Sequence, residues 1–341
     1  MEKSFWSGKK VLVTGHTGFK GSWLSLWLLA LGADVRGLSD EVPTTPSLFE
    51  LADLKADMQS VLADICDTEA LAEVVGGADV VLHLAAQPFV RRSFREPTET
   101  WRANVLGTCH LMDAAIAADV PSTVVVTSDK CYDNDDGGRA FVEADPMGGH
   151  DPYSSSKGAA EIAVSAWRRS FEMRVASGRA GNVIGGGDWG EDRLIPDIMR
   201  AAAAGHQIQI RRPDAVRPWQ HVLEPLAGYL VLAQRLHEDR SFAQAFNFGP
   251  ASADSKPVRW IVERLTEQWP DPLTWDIDEG THPHEAALLA LDSTKARDRL
   301  GWSPTWDLGQ TLDSIVEWYV AHRDGQDMRA VTLAQIERFE R

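Results

Sequence analysis

Two hydrophobic patterns alternate along the first half of the chain. Short apolar runs occur at Lys9–Thr14, Asp34–Leu38, Met58–Ile65, Ala78–Ala86 and Thr123–Thr127, each bounded by polar or glycine-containing segments. Runs of this kind predict parallel strands buried on both faces. Longer stretches between them, such as Ser22–Ala30 and Thr68–Val75, predict helices. Strand–helix alternation of this kind gives an α/β, doubly wound parallel sheet. A last core strand is expected over Arg174–Val183, followed by a helix through Arg200, a helix from Val222 to Leu236 and a strand at Ala245–Phe248. The remainder, Lys256–Arg341, reads as mainly helical and loop-rich, with several tryptophans. The expected division is a dinucleotide-binding domain over residues 1–180, with a chain return at about 215–248, and a smaller mixed lobe over 181–341.

Chemistry enters at the strand ends. The first strand runs into Gly15-His16-Thr17-Gly18-Phe19-Lys20-Gly21 and then a helix. Glycines at these positions allow a tight turn, approach of a pyrophosphate to bare backbone and close helix–strand packing, as in a Rossmann-type sheet. After the second strand, Ser39 stands where an acidic residue would hold the adenosine ribose, and Asp40 follows. No arginine comes next to meet a 2′-phosphate, so the expected cofactor is NAD. Asp64 and Ile65 are expected at the adenine, and Leu84, Ala85 and Ala86 along the cofactor. His83, flanked by apolar residues, reads as a buried structural histidine. Two further groups follow: Ser128-Asp129-Lys130 at the end of the Thr123–Thr127 run, and Tyr153 and Lys157 after an Asp151-Pro152 helix start. Tyr153 and Lys157 are four apart and share a helix face. An ammonium beside a phenol favours the phenolate, which would make Tyr153 a base nearer neutrality.

Composition narrows the partners. A net charge of −16 opposes binding to nucleic acid or an acidic membrane, and no stretch has the length to span a bilayer. The protein is expected in the cytoplasm. The three cysteines, Cys66, Cys109 and Cys131, are too scattered for a disulfide framework or a Cys-based metal site, so no metal is expected; Cys131 reads as a strand-end filler. One locally basic segment, Arg211–Trp219, reads either as a phosphate- and base-binding strip or as a solvated loop with a packing tryptophan. The Gly185-Gly186-Gly187 cluster reads as a phosphate loop or as a turn between lobes.

These segments together resemble the extended short-chain dehydrogenases/reductases, and within them the nucleotide-sugar 4,6-dehydratases of the CDP-glucose group. The resemblance rests on Phe5-Trp6 with Gly8-Lys9-Lys10, Val13–Trp23, Thr127–Tyr132, Gly148–Ser154, Arg179–Trp189 and Val216–Val222. It implies a tightly held NAD and a CDP-glucose substrate. It also implies Tyr153 as base at the C4 hydroxyl, assisted by Lys157 and Ser128, with Asp129 as acid for the departing C6 hydroxyl. Lys130 would be the base at C5, where other nucleotide-sugar dehydratases carry glutamate. Asn104 joins the expected cofactor contacts. Gln87, Asn182, Arg193, Arg217 and His284 are the expected substrate contacts, with His282-Pro283-His284 standing where the family has a second phosphate-binding arginine. The family pairs subunits through two helices each, which implies a homodimer or homotetramer. An epimerase or dehydrogenase on the same fold, or a non-catalytic NAD-responsive binding protein, are the competing readings. The Asp129-Lys130 pair argues against the first two and the presence of Tyr153 and Lys157 against the third.

Overall fold

The computed structural model describes residues 2–134, 138–278, 280 and 289–341. Seven parallel strands form its central sheet. They are β1 (Lys10–Thr14), β2 (Asp34–Ser39), β3 (Gln59–Leu62), β4 (Val80–His83), β5 (Thr123–Val126), β6 (Val175–Arg179) and β7 (Ala245–Asn247). Across the sheet the order is β7, β6, β5, β4, β1, β2, β3. The unbroken apolar runs follow from burial on both faces. Val11, Val13, Val80, Leu82 and Val124 enter one core, and Leu12, Val81 and Val125 enter the other.

The order reverses between β1 and β4, and such sheets leave a crevice outside the carboxyl ends of the strands at that point. Both chemistry-bearing turns found in the sequence leave the sheet at those ends. The expected strand Arg174–Val183 proves to be two. β6 stops at Arg179, Asn182 takes a left-handed φ of 52°, and Val183–Ile184 pairs with Gln220–His221 in a separate ladder. The third strand is also shorter than expected, so Asp64 and Ile65 lie beyond its end.

Beyond β6 the remaining ladders are small. Val216–Pro218 pairs antiparallel with Ser255–Pro257, and Ile208–Ile210 pairs parallel with Trp275–Ile277. The last two helices, Leu308–Arg323 and Met328–Phe339, return to the first part of the chain. Trp27 donates its indole N–H to Glu340 at 2.9 Å, and Lys3 pairs with the same carboxylate. No helix among the described residues is long and apolar enough to cross a membrane.

Candidate active site

β1 passes into the glycine turn with almost no space to spare. A Cβ on Gly15 would come within 2.8 Å of the Ala85 nitrogen, and one on Gly21 within 2.0 Å of the Gly15 carbonyl oxygen. Bare backbone is therefore what lets β1, the end of β4 and the Phe19–Ala30 helix meet. Gly18 occupies the N-cap of that helix, and no side chain caps it. An uncapped helix start of this kind accepts an anion. Gly18, Phe19 and Lys20 line a cleft of about 800 Å³, shared with Gly15, Thr17, Gly21, Ser39, Asp64, Ile65, Leu84, Ala85 and Ala86. These residues fit a dinucleotide.

Within this wall the side chains differ from expectation in two places. The Ser39 hydroxyl already hydrogen-bonds His16 Nδ1 at 3.0 Å and accepts from the Thr17 N–H at 3.3 Å, so it serves the glycine turn. Asn104 does not line the cleft. It is 1% exposed, accepts from the Gln87 N–H at 2.8 Å and donates to the Ser156 hydroxyl at 2.9 Å. It therefore braces the cleft wall against the next helix. Gln87 does line the cleft, with its amide bonded to Phe89 and Thr100. Asp64 is held by Arg102 at 2.5 Å, and those hydrogen bonds keep its carboxyl below the usual range. His83 is structural as expected, bridging Thr14 and Thr108. Arg36 is spent on the Gly76 carbonyl.

The catalytic candidates converge from β5 and from the Pro152–Ser170 helix. β5 leads through Thr127 and Ser128 into a short 3₁₀ turn, Asp129–Cys131. The Ser128 hydroxyl accepts the Lys130 N–H at 3.2 Å and donates to Asp129 at 2.8 Å. Asn182 donates to the other Asp129 oxygen at 3.3 Å. A Cβ on Gly181 would lie 1.7 Å from that oxygen, so glycine there makes room for the carboxylate. Opposite, Asp151 caps the helix by accepting the Ser154 N–H at 2.9 Å, and Ser93 accepts the Tyr153 N–H at 3.1 Å. Ser128, Asp129, Lys130, Tyr153 and Lys157 all line the cleft. Cys131 is fully buried beneath them, as a filler would be.

The electrostatics correct one expectation. Burial pushes the Tyr153 phenol up to about 12, against its hydrogen bond with Ser128 and the charge of Arg193, which lower it. Burial likewise pushes Lys157 down to about 8, with Cys131 and Glu161 opposing. In this chain desolvation, rather than a neighbouring ammonium, sets the direction of the phenol's shift. Lys20 is also brought to the site. Burial, Arg193 and Lys157 lower it to about 8, while Asp129 and Asp188 raise it. Its place in the glycine turn gave no sign of that proximity.

The other wall is rich in arginine. Arg193 donates to both Asp188 oxygens, at 3.1 and 3.0 Å, and lies 5.1 Å from the Phe89 ring centre. Asp192, at a left-handed φ of 57°, accepts from Arg91 at 3.1 Å and Arg211 at 3.2 Å through one oxygen. Arg217 and Asn182 line the cleft as expected. Trp219 is a packing residue, 7% exposed, with its indole N–H on the Lys256 carbonyl. The glycine cluster is packed as well: a Cβ on Gly186 would lie 2.1 Å from the Trp318 ring. His282 and His284 lie outside the described residues.

The switch-point cleft, the uncapped helix after the glycine turn and the facing Tyr153–Lys157 helix define an extended short-chain dehydrogenase/reductase. The family described as GDP-mannose 4,6 dehydratase matches residues 12–315, and the chain belongs to it. It is 50% identical to a CDP-glucose 4,6-dehydratase of Salmonella typhimurium, over 96% of this chain and 95% of that protein. Among solved structures, MoeE5 in complex with UDP-glucuronic acid and NAD superimposes with a TM-score of 0.78 at 27% identity, over 92% of this chain and 99% of that one. The dTDP-glucose 4,6-dehydratase DesIV from Streptomyces venezuelae, solved with NAD and TYD bound, gives a TM-score of 0.79 at 24% identity, over 94% and 99%. That last likeness speaks to the fold alone.

Proposed function

We propose that this protein is an NAD-dependent hydro-lyase that converts CDP-glucose to CDP-4-keto-6-deoxyglucose. The observation that carries the reading is that the Ser128-Asp129-Lys130 turn and the Tyr153–Lys157 helix line one cleft together, which suits acid and base groups for an elimination beside an oxidation site. Half the residues of a curated CDP-glucose 4,6-dehydratase recur here, which supports the substrate. NAD would be held by the glycine turn, Thr17, Asp64, Ile65, Leu84–Ala86 and Lys157, and when bound it supplies the acceptor for hydride from C4 and the donor of hydride to C6.

The chain's own residues handle the protons. Tyr153 takes the proton of the C4 hydroxyl, while Ser128 hydrogen-bonds the same oxygen. Lys130 removes the proton at C5, made acidic by the neighbouring C4 ketone. Asp129 protonates the departing C6 hydroxyl, so that water leaves across C5 and C6. Asn182 and Arg217 bind the diphosphate. The split into a cofactor domain over 1–180 and a substrate lobe over 181–341 follows this division of labour. We further propose a homo-oligomer in the cytoplasm. Trp101, Leu106, Ile162 and Phe171, in or just after the helical segments Pro97–Trp101, Arg102–Leu106 and Pro152–Ser170, expose 42%, 52%, 61% and 58% of their surface, which supports helix-mediated pairing.

Isotope labelling tests the reaction. CDP-glucose deuterated at C4 should yield product with deuterium on the C6 methyl group, and heavy water should label C5. Deuterium returned to C4 without a methyl group would mean an epimerase. Deuterium in free reduced cofactor would mean a dehydrogenase, and no movement of label a binding protein.

A further inference from the structure

Beneath the cleft lies an ion pair that the reaction itself does not use. Glu161, in the Pro152–Ser170 helix, meets Arg179, the last residue of β6, at 2.7 Å, with both side chains no more than 5% exposed. The Glu161 carboxylate also accepts from the Thr127 hydroxyl at 2.5 Å and the Ser177 hydroxyl at 2.8 Å. Arg179 extends the other way, donating to the Tyr132 hydroxyl at 2.7 Å and the Glu143 carbonyl at 3.2 Å. Tyr132 in turn donates to Asn247 of β7 at 2.7 Å and stacks on Phe141. Thr127 and Tyr132 flank the Ser128–Cys131 segment at its two ends. Glu161 lies on the helix one turn beyond Lys157 and two beyond Tyr153. The pair thus ties the helix that carries one half of the catalytic set to both ends of the turn that carries the other half.

Close packing at one glycine reinforces the same junction. A Cβ on Gly158 would lie 2.6 Å from the Gly148 carbonyl oxygen and 3.1 Å from that of Cys131, so the helix touches the turn's backbone directly there. A buried ion pair contributes little net stability compared with an apolar pair of similar size, so its presence calls for another explanation.

We infer that Glu161 and Arg179 are positioning residues, whose hydrogen bonds hold Asp129 and Lys130 in register with Tyr153 for the elimination step. This rests on the dehydratase reading above. Ångström-scale misplacement of reacting groups can cost about 10²-fold in rate, so the effect should appear in turnover.

The test uses the NAD-loaded enzyme carrying Glu161→Leu with Arg179→Met, an apolar pair that keeps the buried volume filled. The expected result is a melting temperature close to that of the wild type and a KM for CDP-glucose within about 3-fold, with kcat lower by about 10²-fold. Reduced nicotinamide should build up during turnover, because Tyr153 keeps its own anchor at Ser93, and its helix the Asp151 cap on Ser154, while elimination slows. A folded double variant with wild-type kcat overturns the inference. So does a loss confined to KM. If the double variant fails to fold, Arg179→Lys replaces it. The lysine can still meet Glu161 but cannot fork to Tyr132 and Glu143, so kcat should fall by about 10-fold with the same build-up of reduced nicotinamide; unchanged kcat overturns the inference. Wild-type enzyme that yields no 4-keto-6-deoxy sugar would instead overturn the functional reading itself.

Discussion

The two walls of the cleft hold their polar groups under different physical conditions. On the strand-end and helix wall, Ser128, Asp129, Tyr153 and Lys157 are only 3–9% exposed. On the facing wall, the side chains of Arg193, Arg211, Arg91 and Asp192 are 28–34% exposed; Arg91 and Arg211 pair with Asp192, and Arg193 with the buried Asp188. Burial on the first wall shifts proton affinities, upward for the Tyr153 phenol to about 12 and downward for Lys157 to about 8. On the second wall water screens the Arg91–Asp192 and Arg211–Asp192 pairs, so each contributes about 1 kcal/mol or less and exchanges readily for another anion. The first wall is suited to proton transfer and the second to holding a charged substrate. Substitutions should therefore divide cleanly, with inner-wall changes lowering kcat and outer-wall changes raising KM.

The largest effect is expected at Tyr153. Tyr153→Phe should lower kcat by about 10²–10⁴-fold, with melting temperature and bound NAD nearly unchanged. A Phe variant that only raises KM would break the contrast between the walls. Next comes Lys130, which is half-buried at the edge of the inner wall. Lys130→Met should reduce product formation by about 10²-fold and leave the enzyme stalled after C4 oxidation, visible as nicotinamide absorbance on adding substrate. Normal turnover would assign the C5 proton to another group.

On the outer wall, Arg217→Ala should raise KM for CDP-, UDP- and dTDP-glucose alike by about 10-fold, with kcat retained, as expected for loss of one charge-assisted hydrogen bond. A selective loss for one base would move base recognition onto Arg217.

The smallest effect on activity is expected far from both walls. Glu224 is 1% exposed and accepts the backbone N–H groups of Thr305 and Trp306, at 3.0 and 2.7 Å. Burial raises its carboxyl to about 7, from an ordinary value of 4.5, against those hydrogen bonds. A carboxyl raised on folding binds its proton more tightly in the folded chain. Its contribution to stability is thus complete below about pH 4.5 and is lost as pH rises through about 7, by up to about 3 kcal/mol. Glu224→Gln should remove that part of the pH dependence of melting and leave kcat and KM unchanged. An identical pH–melting curve would show that Glu224 stays ionised.

How much of this was legible in the chain varies with the distance between partners. The glycine turn, the apolar strands and the Tyr153–Lys157 spacing are local codes, readable because periodicity and turn chemistry act over a few residues. Ser128-Asp129-Lys130 was equally visible, since it directly follows a strand whose burial its own valines announce. The Ser39 hydroxyl was placed correctly at the end of β2, but the His16 ring that occupies it lies 23 residues away. Asn104 was assigned to the cofactor, yet its bond to Ser156 across 52 residues turns it into a brace.

The sequence by itself determined the order of strands and helices, the place of the glycine turn and the identity of the candidate catalytic side chains. Tertiary structure decided which of them are buried together, and hence their proton affinities. It brought Lys20 to Asp129, pinned Arg193 between Asp188 and Phe89, and packed Gly186 under Trp318, 132 residues further on. The reason is physical. Helical and strand periodicity are set by neighbours in the chain, whereas desolvation and charge pairing depend on what the fold places within a few ångströms.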